Sequence, residues 1–143
     1  MMRIDLLAWS DARAEASAIR EAVFVAEQGV PRELELDDVD ARCVHALARL
    51  EDGRAVGTGR LLPEGHIGRM AVLAEWRGRG VGGALLEGLV EQARTRGMQM
   101  IALSAQTHAL GFYRRYGFSA EGEVYLEAGI PHQAMTRILV TRG

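Results

Sequence analysis

The stretch Met70-Ala-Val-Leu-Ala-Glu-Trp-Arg-Gly-Arg-Gly-Val-Gly-Gly-Ala84 constrains this chain more than any other. An apolar run typical of a strand enters a turn with glycine at 78, 80, 82 and 83, and the turn opens a long amphipathic segment. Glycine lets backbone approach a ligand closely. The unpaired N–H groups of a first helical turn point at one spot, and the helix dipole adds positive potential there. Together these make an anion site suited to a pyrophosphate. Arg77 and Arg79 are placed to add charge-assisted contacts. The strand and helix also commit the chain to a right-handed β-α-β crossover and a parallel strand pair.

The chain has 143 residues and 15.6 kDa, which predicts a single domain over 1–143. With 48% hydrophobic and 25% charged residues, it has the make-up of a soluble globular fold. The net charge of −2 argues against nucleic acid or an anionic membrane as partner. No run approaches the ~18 apolar residues of a membrane span. The first nine residues read as too short and too mixed for a secretion signal. The single Cys43 excludes an internal disulfide and a multi-cysteine zinc site, so no metal is expected and the cytoplasm is the expected compartment. All 17 basic residues are arginine, and lysine and asparagine are absent. That excludes a P-loop, Schiff-base chemistry and a triad that needs asparagine.

The pattern predicts strands over 3–9, 44–50, 55–62, 66–73, 98–104, 118–126 and 132–140. Glu51, Asp52 and Gly53 form a hairpin turn between the second and third. Helices are predicted over 12–28, with Ser10 or Asp11 as N-cap and Ala18, Ile19, Ala22, Val23 and Ala26 on one face, and over 80–96 and 107–116. The 98–104 run reads as a strand buried on both faces. The acidic segment 33–40 reads either as a solvated loop or short helix, or as a negative rim that attracts a cationic substrate. The order β-α-β-β-β-α-β-α-β-β makes the fold α+β, or mixed α/β.

Gly78-x-Gly80-x-x-Gly83 formally matches a dinucleotide fingerprint, but Ala74, Glu75 and Trp76 separate it from the strand, and no acid follows about 20 residues on. Read as Arg77-x-x-Gly80-x-Gly82, with Val72 upstream, the stretch resembles the pyrophosphate-binding motif of the GNAT acetyltransferases. Ala109-Leu-Gly-Phe-Tyr113-Arg-Arg-Tyr-Gly-Phe118 resembles that family's second motif, a helix of pattern A-x-x-[FL]-Y-x-x-x-G-F. Val23-Phe24-Val25-x-Glu27-Gln28, the acidic stretch from Glu35 to Asp40, His45, Gly68-Arg69, Ala105-Gln106 and Gly129-Ile130-Pro131-His132-x-x-Met135 resemble the ElaA/YjcF-like subgroup. The resemblance covers nearly the whole chain.

The resemblance implies a central mixed, splayed sheet flanked by helices. It also implies an N-acetyltransferase that moves an acetyl group from acetyl-CoA directly to a primary amine of a small molecule. A protein or peptide acetyltransferase and a non-catalytic CoA-binding module are the alternatives, and a homodimer is an expected assembly. The cosubstrate contacts it implies are Met70, Ala71, Val72, Arg77, Gly78, Arg79, Gly80, Val81, Gly82, Gly83, Ala109 and Phe112. The splay is expected at about Met70–Leu73 and Ile101–Ser104, with the Val72 N–H as oxyanion donor. Tyr113 carries over as general acid to the CoA thiolate, with Tyr116 as a less favoured substitute. Glu27 is the first candidate base, followed by His132 and His45, and a water chain with no single base is also compatible. Arg69, Gln106 and His132 are candidate acceptor contacts, although Arg69 could instead pair with an acid such as Glu27. Cys43 reads as a buried hydrophobe rather than an acyl carrier.

Overall fold

A computed structural model describes residues 2–139, so the predicted end of the last strand at Val140 lies outside it. One sheet of seven strands runs in the order β1-β2-β3-β4-β5-β7-β6. The strands are β1 (Arg3–Ala8), β2 (Val44–Arg49), β3 (Ala55–Leu61), β4 (His66–Val72), β5 (Met100–Gln106), β6 (Ser119–Glu127) and β7 (Ile130–Ile138). The helices are α1 (Trp9–Arg20), α2 (Arg32–Glu35), α3 (Val81–Thr95) and α4 (Leu110–Arg115). The β4–β5 pair is parallel, as the crossover through α3 requires, and the other pairs are antiparallel. No described helix is long and apolar enough to cross a membrane.

Alternation along the strands sorts the core into two layers. Leu47 and Ala71 pack with Ala12, Ala16, Ile19 and Val23 under α1. Ala46, Ala48, Leu61, Ile67, Ile101, Leu103 and Met135 pack with Leu85, Leu86 and Leu89 of α3. The α3 layer is tight: a Cβ at Gly57 would stand 2.9 Å from both Leu85 Cδ1 and Val81 Cγ1.

Several expectations are corrected. Helix α1 begins at Trp9, and Ala8 caps it without a side-chain bond, so neither Ser10 nor Asp11 is the N-cap. Of its expected buried face, Ala18, Ala22 and Ala26 are exposed, and Arg20 is inside. From Glu21 to Glu27 the helix widens to π geometry, with Gln28 N–H donating to Val23 O at 3.0 Å. Strand β5 alternates rather than being buried on both faces: Ile101, Leu103 and Ala105 enter the core while Ser104 and Gln106 stay half-exposed.

The acidic segment is mostly neutralised rather than displayed. Arg20 pairs with Glu35 and, at 2.9 Å, with Asp40. Arg60 binds Asp40 and Asp37, each at 2.8 Å, and Arg69 meets Asp37 at 3.2 Å. Only 8% of Glu35 and 4% of Asp40 is exposed, which overturns the negative rim at these positions. Burial alone pushes the Asp40 carboxyl up, but Arg20 and Arg60 outweigh it and hold it below the carboxylate range.

Candidate functional site

The parallel pair β4–β5 is ladder-bonded only at His66↔Ala102 and Ile67↔Leu103. Beyond that point the strands part, so the split begins earlier on β4 and later on β5 than the sequence placed it. A bulge in β4 helps to turn it away: the register against β3 slips there, and Arg69 takes φ +50°. A cavity of about 820 Å³ fills the gap. Gly82 of α3, Ala109 beside α4, and Phe112 and Tyr113 of α4 line it from one face of the sheet. Phe24 and Glu27 of the π turn, Leu34 of α2, and the tip of the β6–β7 hairpin line it from the other.

The glycine-rich turn leads from β4 into α3 as the sequence pattern predicts. Gly78 and Gly80 adopt φ +73° and +82°, conformations that cost other residues heavily. Gly80 is the N-cap of α3 and brings no side chain to its first-turn amides. Val72 completes this corner. The next residue, Leu73, donates its N–H to Val56 O at 2.9 Å, so Val72 turns its own N–H and C=O away from β3 toward the gap. Arg77 Nε donates to the Val72 carbonyl oxygen at 3.0 Å, and the Val72 N–H faces the gap.

The predicted contacts divide. Met70, Ala71, Val72, Arg77, Gly82, Ala109 and Phe112 line the cavity, as do Tyr113, Glu27, Arg69, Gln106 and His132. Arg79 points elsewhere, its guanidinium 4.8 Å above the Trp76 ring. Val81 is a core residue. Gly83 is buried beneath Tyr116: a Cβ there would overlap the Tyr116 hydroxyl. Its smallness serves packing between α3 and α4. Tyr116 is thereby engaged away from the cavity and is no substitute acid.

Tyr113 stands edge-on to Phe112 and Phe118, with centroids at 5.1 and 6.0 Å. Burial pushes its phenol up to about 12, so the hydroxyl keeps its proton at neutral pH. Glu27 is committed to Arg77, which grips both carboxylate oxygens, one of them at 2.7 Å. That pairing holds Glu27 below the usual carboxylate range, the opposite direction from the raised value that suits a general base. It also corrects the expected Arg69–Glu27 pair, since Arg69 meets Asp37. His45 is 1% exposed, donates Nε2–H to Asp40 O at 2.9 Å and lies outside the cavity. Cys43 is buried with its thiol pushed up by desolvation, unlike a nucleophile. Gln106 donates to Gln28 Oε1 at 2.9 Å and accepts from His108 Nε2 at 2.7 Å. His66 and Glu127 also line the cavity and had no local sequence signal, because the register of four strands brings them there.

Residues 12–139 match the family model described as an acetyltransferase (GNAT) domain. The uncharacterized N-acetyltransferase YjcF of Bacillus subtilis is 38% identical over 128 residues, which is 86% of this chain and 90% of YjcF. The crystal structure of Escherichia coli ElaA superposes with a TM-score of 0.85 at 31% identity, covering 96% of this chain and 99% of ElaA. An acyl-CoA N-acyltransferase from Pseudomonas aeruginosa superposes with a TM-score of 0.85 at 34% identity, over 96% of this chain and 99% of that one.

Proposed function

From the premise that this chain belongs to the GNAT acetyltransferase family, we propose that it transfers the acetyl group of acetyl-CoA to a primary amine of a small molecule by direct attack. The observation that carries this reading is the gap between β4 and β5, with an uncapped helix N-terminus on one side and the half-buried Tyr113 in its wall.

The residues present suit the cosubstrate. The amides of Val81, Gly82 and Gly83 at the start of α3 would take the pyrophosphate. The open edge of β4 would take the amide-bearing arm, and the Val72 N–H would meet the thioester oxygen. Tyr113 is the proton donor to the departing sulfur. A phenol at about 12 is a weak acid against a thiol near ~8.5. The transfer therefore succeeds only where the wall of the site desolvates the thiolate as well. The hairpin tip and α2 roof the acceptor side, which favours a small acceptor over a polypeptide. Retention of Tyr113 favours catalysis over a CoA-binding module. A homodimer would form most readily along β6, an edge strand that exposes Val124 and Leu126.

Thermal unfolding with acetyl-CoA, against NADH as control, tests the loop. At ~100 times Kd a ligand adds about 2.7 kcal/mol, which raises Tm by several degrees. An amine panel read by thiol release tests the chemistry. A folded protein unmoved by acetyl-CoA would overturn the reading.

A further inference from the structure

The amine acceptor arrives as an ammonium and must shed a proton before its nitrogen can attack. We propose that His132 takes that proton while the Glu127 carboxylate holds the ammonium beside it. This rests on the transferase reading above.

His132 is only 7% exposed, yet it lines the cavity. Its Nδ1 lies 2.7 Å from the Ile130 carbonyl oxygen. A carbonyl can only accept, so Nδ1 carries the hydrogen and the neutral ring keeps its lone pair on Nε2. Nε2 stands 3.6 Å from a Glu127 carboxylate oxygen. Two acceptors facing each other at that distance lack a donor, and an alkylammonium supplies donors to both. The ring is held in this pose: Tyr125 stacks on it at 6.2 Å and 25°, and the Tyr125 hydroxyl is bonded to Ser104 of β5. His132 pairs with Gln106 across β5 and with Tyr125 across β6, so both flanking strands fix its backbone. The other titratable or charged groups lining the cavity on this side are His66 of β4, Arg60 of β3, Arg69 of the β4 bulge, His108 after β5, Glu35 of α2, which Arg20 holds, and the Glu27–Arg77 pair. Burial pushes His66 down, so it stays neutral. Arg60 and Arg69 are engaged with Asp37, and His108 with Gln106. Glu127 alone of the carboxylates here is free of an arginine partner among the described residues.

The protons balance. Nε2 takes one from the ammonium and becomes an imidazolium paired with Glu127. The freed lone pair forms the N–C bond at the thioester carbon, and the C–S bond breaks. Tyr113 gives its proton to sulfur and regains one from the nitrogen of the collapsing adduct. The proton on His132 leaves to solvent past the exposed Glu127, so one proton is released per transfer.

The test compares an alkylamine, cationic at pH 7, with an arylamine that is already neutral. His132→Gln should lower kcat/KM for the alkylamine ~100-fold or more and flatten the acidic limb of its pH profile. With the arylamine the loss should stay within about threefold. Glu127→Gln, on the exposed hairpin end, should raise KM for the alkylamine alone. Equal losses with both amines, or an unchanged alkylamine profile in a folded His132→Gln protein, would overturn the assignment and leave the transferase reading intact. A wild type that acetylates no amine at all would overturn both.

Discussion

Replacing Gly83 with alanine separates a ligand-binding glycine from a packing one. A Cβ there would overlap the Tyr116 hydroxyl and stand 3.0 Å from Tyr116 Cζ. Gly83 is buried, so the ring must swing outward. Overpacking of this kind costs roughly 1–3 kcal/mol. Lifting Tyr116 off Phe112, 5.2 Å away between centroids, forfeits a further ~0.5–1.5 kcal/mol. Alanine returns about 1 kcal/mol through its better helix propensity. The net loss is roughly 0.5–3.5 kcal/mol. At an unfolding entropy of about 2.1 cal/mol/K per residue, that lowers Tm by roughly 2–12 °C for this chain. Tyr116→Phe removes the overlapping hydroxyl, so the alanine should cost less than half as much in that background. A double-mutant cycle by thermal or urea unfolding reads this as a coupling of about 1 kcal/mol. An additive cycle, or a Gly83→Ala protein with unchanged Tm, refutes the packing argument. Gly82→Ala is the counterpart, because its Cβ would meet Phe112 at an ordinary 3.5 Å on the cavity wall. Its Tm should rise by about 3 °C, from the same ~1 kcal/mol of helix propensity, while KM for acetyl-CoA rises ~10-fold or more, because the added methyl holds the pyrophosphate off the first-turn amides and weakens one bond to a charged group.

Tyr113→Phe should lower kcat ~10²–10⁴-fold with KM for acetyl-CoA little changed. Because burial pushes the phenol to about 12, the wild type should show no alkaline limb from Tyr113 below pH ~10; a limb near pH 8–9 that Tyr113→Phe abolishes would contradict this. Glu27→Gln should cost less than ~10-fold in kcat, since a base would cost 10²-fold or more; steady-state kinetics at saturating amine decide it. Asp40→Asn strips the shared counter-ion from Arg20 and Arg60 and should cost about 3–5 kcal/mol in urea unfolding at pH 7. The folded Asp40 carboxyl lies below its ordinary 3.8. Its stabilisation is therefore present above that value and lost as pH falls through the folded one. The gap between wild type and Asp40→Asn should begin to close as pH falls below 3.8 and continue to close as pH falls through the lower folded value.

The element order, the glycine turn into α3 and the place of Tyr113 in the cavity wall were legible because each rests on local pattern: glycine spacing, helical period, and a motif within a few residues. What failed depends on distant partners. Arg20 sits on the inward face of α1 because Glu35 and Asp40, fifteen and twenty residues on, meet it there. Spacing alone sends such an arginine to solvent and an alanine inward. The π turn added a second error, since wider turns rotate Ala22 and Ala26 off the face that a regular helix would give them. Glu27 looked like a base because its position at the end of the helix was readable, while its grip on Arg77, fifty residues away, was not. The roof of the acceptor side comes from the β6–β7 hairpin, whose placement beside β5 is set by sheet order.

The parting of β4 and β5 leaves a doorway through the middle of the sheet, with α3 and α4 on one threshold and the π turn, α2 and the hairpin on the other. On the function proposed above, a cosubstrate and an acceptor would enter from opposite thresholds and meet at Val72 and Tyr113, and neither would stand in the other's way out. Traffic of that kind suits a complex in which both are aboard before anything reacts. It would show as intersecting lines in initial-rate plots, with each product inhibiting most strongly against the substrate that shares its doorway.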